Sequence, residues 1–340
     1  MPTDGGLTGA TPSSTRASTR ELWFTGPRAV EIRDGRLPAI RGGQVVARAL
    51  ASGVSQGTEL LLYRGQGPTP FDPSLDPAGA PTYPRRYGYA WVGEIVARGP
   101  RVEGFANGTR VFALAPHGDV HVLDVGSARP IDPAIPPARA VLAANLETAV
   151  NCVWDSGASL GDRVVVLGGG VVGLLVSRLA QSAGSRVRLV EPSPCRRAAA
   201  RTLGIEAISI EEDRPEAEAD VVIEATGDPA TLGRAIAHAA QEAVIVVASF
   251  YGARTAPVPL GGDFHRRRLR ILSSQVSSLP ASRGPRWTAA RRFDLVKSLL
   301  LDAAFDALVE RSHPFETAAA VYRSLDRAPG DAIQTVFDYE

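Results

Sequence analysis

The chain has 340 residues, of which 44% are hydrophobic and 21% charged, and this length is enough for about two domains with separate cores. Its 37 Lys and Arg residues nearly balance its 36 Asp and Glu residues, so the net charge of +1 gives no electrostatic reason to expect a nucleic-acid partner. Two cysteines, Cys152 and Cys195, are too few for a disulfide framework or a four-cysteine metal site, which favours a reducing, cytoplasmic setting.

The beginning of the sequence has no periodic apolar pattern and is rich in Ser, Thr, Gly and Pro. This composition predicts that residues 1–20 form a disordered tail. The sequence has neither the apolar core of a signal peptide nor a run approaching the roughly 18 apolar residues of a membrane span. We therefore expect a cytoplasmic protein with no membrane partner.

Short β-type runs, separated by Gly- and Pro-rich turns, follow this tail and include QVVARAL, WVGEIVA, TRVFALA and VHVLDV. They predict a small, β-rich domain over residues 21–143. Within it, the segment Gly65–Pro84 has too many prolines for a strand or a helix. It is predicted to be a long ordered loop, and loops of this kind often border a site.

From Asp162 onward, apolar strands alternate with helical segments, beginning with RVVVLG, VVGLLVSRLAQSAG and RVRLVE. Continuous apolar strands between helices indicate a parallel sheet covered on both faces. The fold class is therefore α/β, with a doubly wound parallel sheet over residues 144–284. A helix and a final segment at 285–340 belong to neither sheet by position, and we expect them to return to the first domain.

Three glycines, Gly168, Gly170 and Gly173, follow an apolar strand and open a helix with G-x-G-x-x-G spacing. The first permits a tight turn, the second lets backbone amides approach a pyrophosphate, and the third allows close packing of helix on strand. Val171 and Val172, at the start of the helix, complete the predicted phosphate contact. The alternative is a glycine-rich turn that binds nothing.

An acidic residue at the end of the next strand, Glu191, favours dinucleotide binding because it lies 18 residues after Gly173, where it can accept bonds from a ribose diol. Its charge would repel a 2′-phosphate, so NAD is favoured. Arg196 and Arg197 follow closely enough to keep NADP open. Further cofactor contacts are predicted at the carboxyl ends of two later strands. They are Ala225, Thr226, Ser249 and Phe250.

Four segments together resemble the medium-chain dehydrogenase/reductase superfamily. They are SGVSQGTELLLYRG (52–65), YGYAWVGEIVARG (87–99), NLETAVNCVWDSGASLGDRVVVLGGGVVG (145–173) and PLGGDFHRRRLRILSSQV (259–276). The resemblance implies a GroES-like catalytic domain beside the Rossmann domain, and a homodimer. It also implies that Thr148 packs on the nicotinamide.

The chain departs from the zinc-dependent members of this superfamily at the places of their metal ligands. Those places hold Ser55, the pair Tyr89 and Ala90, and Ala144, none of which supplies a thiolate, imidazole or carboxylate. We therefore expect no metal. The sequence is most similar to the zinc-free branch of bacteriochlorophyllide-type dehydrogenases, which carry S-G-x-S-x-G-T-E.

Without zinc, a side chain must exchange the proton at the reacting oxygen. Tyr89 is the leading candidate because it occupies a vacated ligand place, although it could be a structural aromatic residue. Ser55 and Glu59 are predicted to orient substrate or relay a proton, the alternative being a helix cap. His265 is a further candidate for proton exchange.

These residues predict a zinc-independent, NAD- or NADP-dependent oxidoreductase for a small molecule. The reaction would interconvert a hydroxyl and a carbonyl in a polyol, cyclitol or specialised metabolite. One alternative is a metal-free reductase of C=C or C=N bonds, resembling the quinone reductases. Another is a scaffold protein that keeps a coenzyme domain without turnover.

Overall fold

The computed structural model describes residues 18–67, 83–255, 257–328 and 331–339. Its first half is rich in strands. They are β1 (Ser18–Gly26), β2 (Ala29–Arg36), β3 (Gln44–Val54), β4 (Arg85–Arg86), β5 (Trp91–Arg98), β6 (Arg110–Ala113), β7 (Val120–Asp124) and β8 (Arg129–Pro130). Helices α1 (Gln56–Tyr63), α2 (Pro137–Ala140) and α3 (Ala143–Ser156) follow β3 and β8.

The predicted doubly wound sheet is confirmed. Its elements are β9 (Arg163–Leu167), α4 (Val171–Ser182), β10 (Arg186–Val190), α5 (Pro194–Thr202), β11 (Glu206–Ile208), β12 (Ala219–Glu224), α6 (Leu232–His238), β13 (Ala239–Val247), α7 (Asp263–Arg266) and β14 (Arg270–Ser273). The strands are parallel in the order β11-β10-β9-β12-β13-β14. The sequence Val164–Leu167 is continuously apolar because helices cover both faces of its strand.

The end of the sequence joins the first half of the chain. It contains α8 (Ala289–Leu299), β15 (Val309–Pro314), α9 (Ala318–Arg327) and β16 (Gln334–Asp338). Strand β16 lies between β15 and β3 in a sheet that continues through β5, β6 and β8. The ring of Tyr322 on α9 packs against Phe24 and Tyr63. Residues separated by most of the sequence therefore share one core.

Helix α3 lies in sequence between β8 and the first strand of the parallel sheet, and it carries a buried carboxylate. Glu147 on this helix accepts hydrogen bonds from Arg129, at 2.7 Å, and from the buried Arg292 on α8, at 3.2 Å. The rings of Phe112 and Phe293 stack nearby, with centroids 5.9 Å apart. These contacts fix α3 against β8 and α8.

Strand β1 begins at Ser18, so the last three residues of the predicted tail 1–20 belong to a strand instead. The change arises because residues from Ser18 pair with β2, an interaction that the local composition does not reveal. Residues 1–17 lie outside the described residues, as do 68–82 of the predicted loop Gly65–Pro84. Within the described ranges, no helix has the length and apolarity that crossing a membrane requires.

The imidazole of His121 is buried in the first half of the molecule. It lies on β7, 8% exposed, with its ring 5.0 Å from that of Trp91 and its Nε2 2.9 Å from the carbonyl oxygen of Pro116. Desolvation by burial lowers the pKa of this imidazole from 6.5 to about 4. The unfolded chain binds this proton at a higher pH than the folded chain, so His121 lowers stability as the pH drops from 6.5 towards about 4.

Replacing His121 by glutamine is expected to reduce the acid sensitivity of folding. Between pH of about 7.5 and about 5, the wild type should lose about 2 kcal/mol more unfolding free energy than the variant. Glutamine keeps a donor for the Pro116 carbonyl but has no titrating proton. Urea unfolding at both pH values measures the difference, and identical losses in the two proteins would contradict the prediction.

Candidate active site

A tight turn links β9 to α4 and depends on two of the predicted glycines. Gly168 has a φ of +99°, and a Cβ there would lie 2.8 Å from the backbone carbon of Ala225. A Cβ on Gly173 would lie 1.9 Å from the carbonyl oxygen of Gly168. The first glycine thus permits the left-handed turn, and the second lets α4 pack directly on the strand.

The space in front of α4 can accommodate a phosphate group. Gly170 is the N-cap residue, and no non-neighbouring heavy atom lies within 4 Å of a Cβ built on it. Val171 and Val172 open the helix, whose first-turn amides have no partner within the helix and carry a partial positive charge. The glycine turn and the open helix start fit the pyrophosphate of a dinucleotide.

Glu191 lies beside this turn at the end of β10, with 3% of its surface exposed. Its Oε2 accepts a 2.6 Å hydrogen bond from the amide of Gly169, and its Oε1 accepts one of 2.8 Å from the amide of Ser193. The carboxylate is therefore held at the edge of the phosphate space, where it can accept bonds from a ribose diol. Arg196 also lies here, with its Nη1 4.0 Å from Glu191 Oε2.

The carboxyl ends of β12 and β13 carry the other predicted cofactor residues. The amide of Ala225 donates to the carbonyl oxygen of Leu167 on β9, at 2.8 Å, and Ser249 Oγ accepts a 2.9 Å bond from the amide of Gly227. Thr226 donates its hydroxyl proton to Glu224. Phe250 is 38% exposed. These residues line the edge of the sheet at which open α/β folds bind ligands.

Glu224 and Tyr251 support this edge, and neither was among the residues predicted from the sequence. Glu224 is fully buried and accepts hydrogen bonds from the amide and hydroxyl of Thr226 and from the phenol of Tyr251. Burial and the neighbouring Glu224 carboxylate raise the pKa of Tyr251. Glu224 could have been found from the sequence, because it is an acidic residue at the end of the apolar strand β12.

The loop after β13 brings the parallel sheet against α1. A Cβ on Gly252, whose φ is +63°, would lie 2.7 Å from the carbonyl oxygen of Gln66, just beyond the end of α1. It would lie 3.4 Å from Leu61 on α1 itself. The catalytic candidates at the start of α1 therefore belong to an element that touches the carboxyl edge of the parallel sheet.

A cluster of three hydroxyl groups lies at the start of α1. The phenol of Tyr89 donates to Ser55 Oγ and lies 3.5 Å from Thr58 Oγ1. Burial raises the pKa of Tyr89, and its hydroxyl partners oppose this shift only in part. At neutral pH the phenol is therefore protonated and able to donate.

Beneath this cluster, Glu59 is fully buried in a network that includes a histidine. Its Oε1 accepts a 2.9 Å hydrogen bond from the amide of Ser55, while its Oε2 accepts from Tyr322 and lies 3.0 Å from His117 Nε2. The Ser55 side chain makes no cap bond to the helix, so Glu59 performs the capping and holds Ser55 in place.

The network extends from His117 to two hydroxyl groups that the sequence analysis did not select. His117 Nδ1 lies 2.6 Å from Ser52 Oγ, which lies 2.7 Å from the hydroxyl oxygen of Tyr339. Burial raises the pKa values of both Tyr322 and Tyr339, so both phenols are protonated at neutral pH. Each of these buried polar groups therefore has a partner, which limits the cost of their burial.

The remaining predicted site residues differ in their placement. Thr148 is half-buried on α3 among buried neighbours, and its hydroxyl donates to the carbonyl of Ala144 at 3.1 Å. His265 does not join the catalytic candidates. It is exposed on α7, beside the edge strand β14, in a groove with Glu242 and Arg268. The chain in this region runs beside the outer edge of the parallel sheet.

The donors at the hydroxyl cluster do not fit a zinc ion. Ser55 and Tyr89 offer neutral oxygens, while Ala90 and Ala144 offer no side-chain donor. Zinc in proteins is bound by thiolate, imidazole and carboxylate groups. Throughout the part of the chain that the structure describes, no group of three or more His, Cys, Asp or Glu residues could hold a metal.

Comparisons with known proteins agree with the coenzyme-binding geometry. Residues 159–251 match a family described as "Putative NAD(P)-binding". The 2-desacetyl-2-hydroxyethyl bacteriochlorophyllide A dehydrogenase of Rhodobacter capsulatus is 28% identical over 340 residues, covering 95% of this chain and 98% of that protein. The D-guloside 3-dehydrogenase of Escherichia coli is 25% identical over 310 residues, covering 83% and 88%.

A solved structure from Sinorhizobium meliloti has the same fold. It is a "putative zinc-binding dehydrogenase" bound to NADP, with 20% sequence identity and a TM-score of 0.76. The similarity covers 95% of this chain and all of that one, at 100%. It therefore includes both the parallel sheet and the β-rich half.

Proposed function

Because the chain belongs to the medium-chain dehydrogenase/reductase superfamily and is an NAD(P)-dependent oxidoreductase, we propose that it works without zinc. Its substrate is the hydroxyl or carbonyl group of a polyol, cyclitol or other specialised metabolite. The relatives support this class, since one of them is named a D-guloside 3-dehydrogenase. The assembly is a homodimer in a cytoplasmic setting.

The hydrogen-bonded pair of Tyr89 and Ser55 carries this proposal. When bound at the glycine turn and Glu191, a nicotinamide cofactor would provide the hydride chemistry at the substrate carbon. The chain must then supply or remove a proton at the substrate oxygen, a task that zinc members assist by polarising that oxygen. Tyr89 occupies a place at which zinc-dependent members carry a zinc ligand, and its phenol, which donates to Ser55 Oγ, can supply a proton directly or through that hydroxyl.

A protonated Tyr89 meets the need of carbonyl reduction, in which the substrate oxygen must gain a proton. Its raised pKa keeps the phenol protonated at neutral pH. In this direction the carbonyl carbon gains the hydride, the C=O π bond breaks, and the oxygen gains the proton of Tyr89. The hydroxyls of Ser55 and Thr58, which accept from the phenol in the resting state, can then turn to donate to the phenolate until water returns a proton. Glu59 holds the Ser55 amide, and with it the cluster, in position.

Turnover of a substrate panel by metal-depleted protein tests this function. The panel contains ketones of polyols and cyclitols, the matching alcohols, and enones, each with NADH and with NADPH. We expect ketone reduction and the reverse alcohol oxidation, both unchanged by chelator and by added Zn²⁺. Activity that disappears with chelator and returns with Zn²⁺ would overturn zinc independence, and reduction of enones alone would indicate the C=C reductase.

Light scattering of the same sample tests the homodimer.

A further inference from the structure

Two carboxylates from distant parts of the sequence converge on one residue at the start of α5. Glu191 Oε1 accepts a 2.8 Å hydrogen bond from the amide of Ser193, and Asp331 Oδ1 accepts one of 2.7 Å from the Ser193 hydroxyl. Glu191 belongs to the parallel sheet, whereas Asp331 lies just before β16 of the other sheet. We propose that Asp331 acts with Glu191 to select NAD over NADP.

The two carboxylates occupy the place that a 2′-phosphate would otherwise favour. Helix α5 has nine residues, with Ser193 as its N-cap. The start of a helix attracts anions because its amides point outward and carry partial positive charge. Here the anions are two carboxylates of the protein itself. Glu191 accepts a hydrogen bond from the Ser193 amide, and Asp331 accepts one from the Ser193 hydroxyl. An added phosphate would meet repulsion from both.

The arginines nearby are engaged with backbone oxygens. Arg196 Nη2 donates a 2.9 Å hydrogen bond to the carbonyl of Ala332, and Arg197 Nη1 donates to the carbonyls of Glu191 and Pro192, at 2.7 and 2.6 Å. A 2′-phosphate is normally held by guanidinium donors. In this chain the Arg196 contact instead holds the segment that carries Asp331 against α5.

With Asp331, the residues that select the cofactor come both from the parallel sheet and from the C-terminal segment before β16. Glu191 alone could accept bonds from the ribose diol, as an acidic residue at the end of this strand does in other dinucleotide sites. Asp331 adds negative charge at the same helix start from the segment leading into β16. This inference rests on the cofactor binding in the proposed function, and its effect is on relative affinity for two cofactors rather than on the chemical step.

Titration of NADH and NADPH, followed by nicotinamide fluorescence, tests the role of Asp331 without requiring a substrate. Asp331→Asn keeps an oxygen acceptor for the Ser193 hydroxyl but removes the charge. We expect the ratio of the NADPH to the NADH dissociation constant to fall about three- to tenfold. The fall should shrink at high salt, since exposed charges are screened. Asp331→Arg should lower the ratio further.

The matched control is Asp294→Asn, which removes one exposed carboxylate from α8, where Asp294 pairs with Lys297. This variant should leave the ratio unchanged. A wild type that prefers NADPH, a ratio unchanged in both Asp331 variants, or equal weakening of both cofactors would overturn the inference. If the wild type binds neither cofactor, the proposed function fails together with the inference. If the wild type binds a cofactor but the Asp331 variants leave the ratio unchanged, the role of Asp331 is contradicted while the proposed function stands.

Discussion

Replacement of Tyr89 by phenylalanine is expected to lower kcat for carbonyl reduction by about 10²- to 10³-fold. The change removes the phenol that donates to Ser55 and that supplies the proton in the proposed reaction. The affinity for NADH should not change, because the glycine turn and Glu191 lie on other elements. Steady-state kinetics and an NADH titration measure the two quantities separately.

The pH dependence of the wild type gives a second measure of Tyr89. A phenol loses its proton above its pKa, and burial raises the pKa of Tyr89 beyond the ordinary value of a tyrosine. The chemical step of reduction should therefore lose no rate to Tyr89 ionisation between pH values of about 6 and about 9.

The control for Tyr89 is Tyr83→Phe. Tyr83 is also a partly buried tyrosine with a raised pKa, but its phenol donates to the carbonyl of Leu62. Its variant should keep kcat within about twofold of the wild type. If Tyr89→Phe retained full kcat, Tyr89 would not be the proton donor.

Alanine at Gly170 and at Gly173 should produce two different defects. At Gly170, a Cβ meets no non-neighbouring protein atom within 4 Å, and the φ of −68° suits alanine, so the fold should persist. The Cβ would enter the space assigned to the pyrophosphate, and we expect NADH affinity to fall about 10- to 100-fold. NADH titration and thermal unfolding measure the two properties.

At Gly173, alanine is expected to damage the fold as well as cofactor binding. A Cβ would lie 1.9 Å from the carbonyl oxygen of Gly168, so α4 must move away from the strand. We expect a stability loss of about 3 kcal/mol. Gly43→Ala is the control for open space, since its Cβ also has no neighbour within 4 Å. Normal NADH affinity in Gly170→Ala would show that the space before α4 does not hold the cofactor.

The parallel sheet and its glycine turn could be predicted because their signals are local. Apolar strands alternate with helical segments, and the three glycines lie within six residues of one another. The backbone around Gly168 and Gly173 leaves no room for a larger residue or needs a conformation that glycine adopts, and a side chain on Gly170 would enter the space assigned to the pyrophosphate. Residue type and spacing are therefore enough to predict the turn. The parallel sheet in the structure has the predicted doubly wound form.

The network around Glu59 could not be predicted because its members are brought together only by the tertiary fold. Glu59 and Tyr322 are 263 positions apart, and Ser52 and Tyr339 are 287 apart. No local periodicity links them. The same reason explains Asp331, which reaches Ser193 across 138 positions. Conversely, His265 was predicted as a candidate for proton exchange, but it lies on α7 beside the outer strand β14.

Because β16 pairs with β3, the sheet of the β-rich half cannot be completed until the end of the chain has been synthesised. The parallel sheet is complete in the nascent chain once Ser273 has been made, whereas β3 receives its neighbour β16 only after Asp338. Until α9 emerges, the Glu59 carboxylate also lacks Tyr322. The half of the protein that is synthesised first is therefore finished last, and it must remain soluble while the coenzyme domain folds behind it.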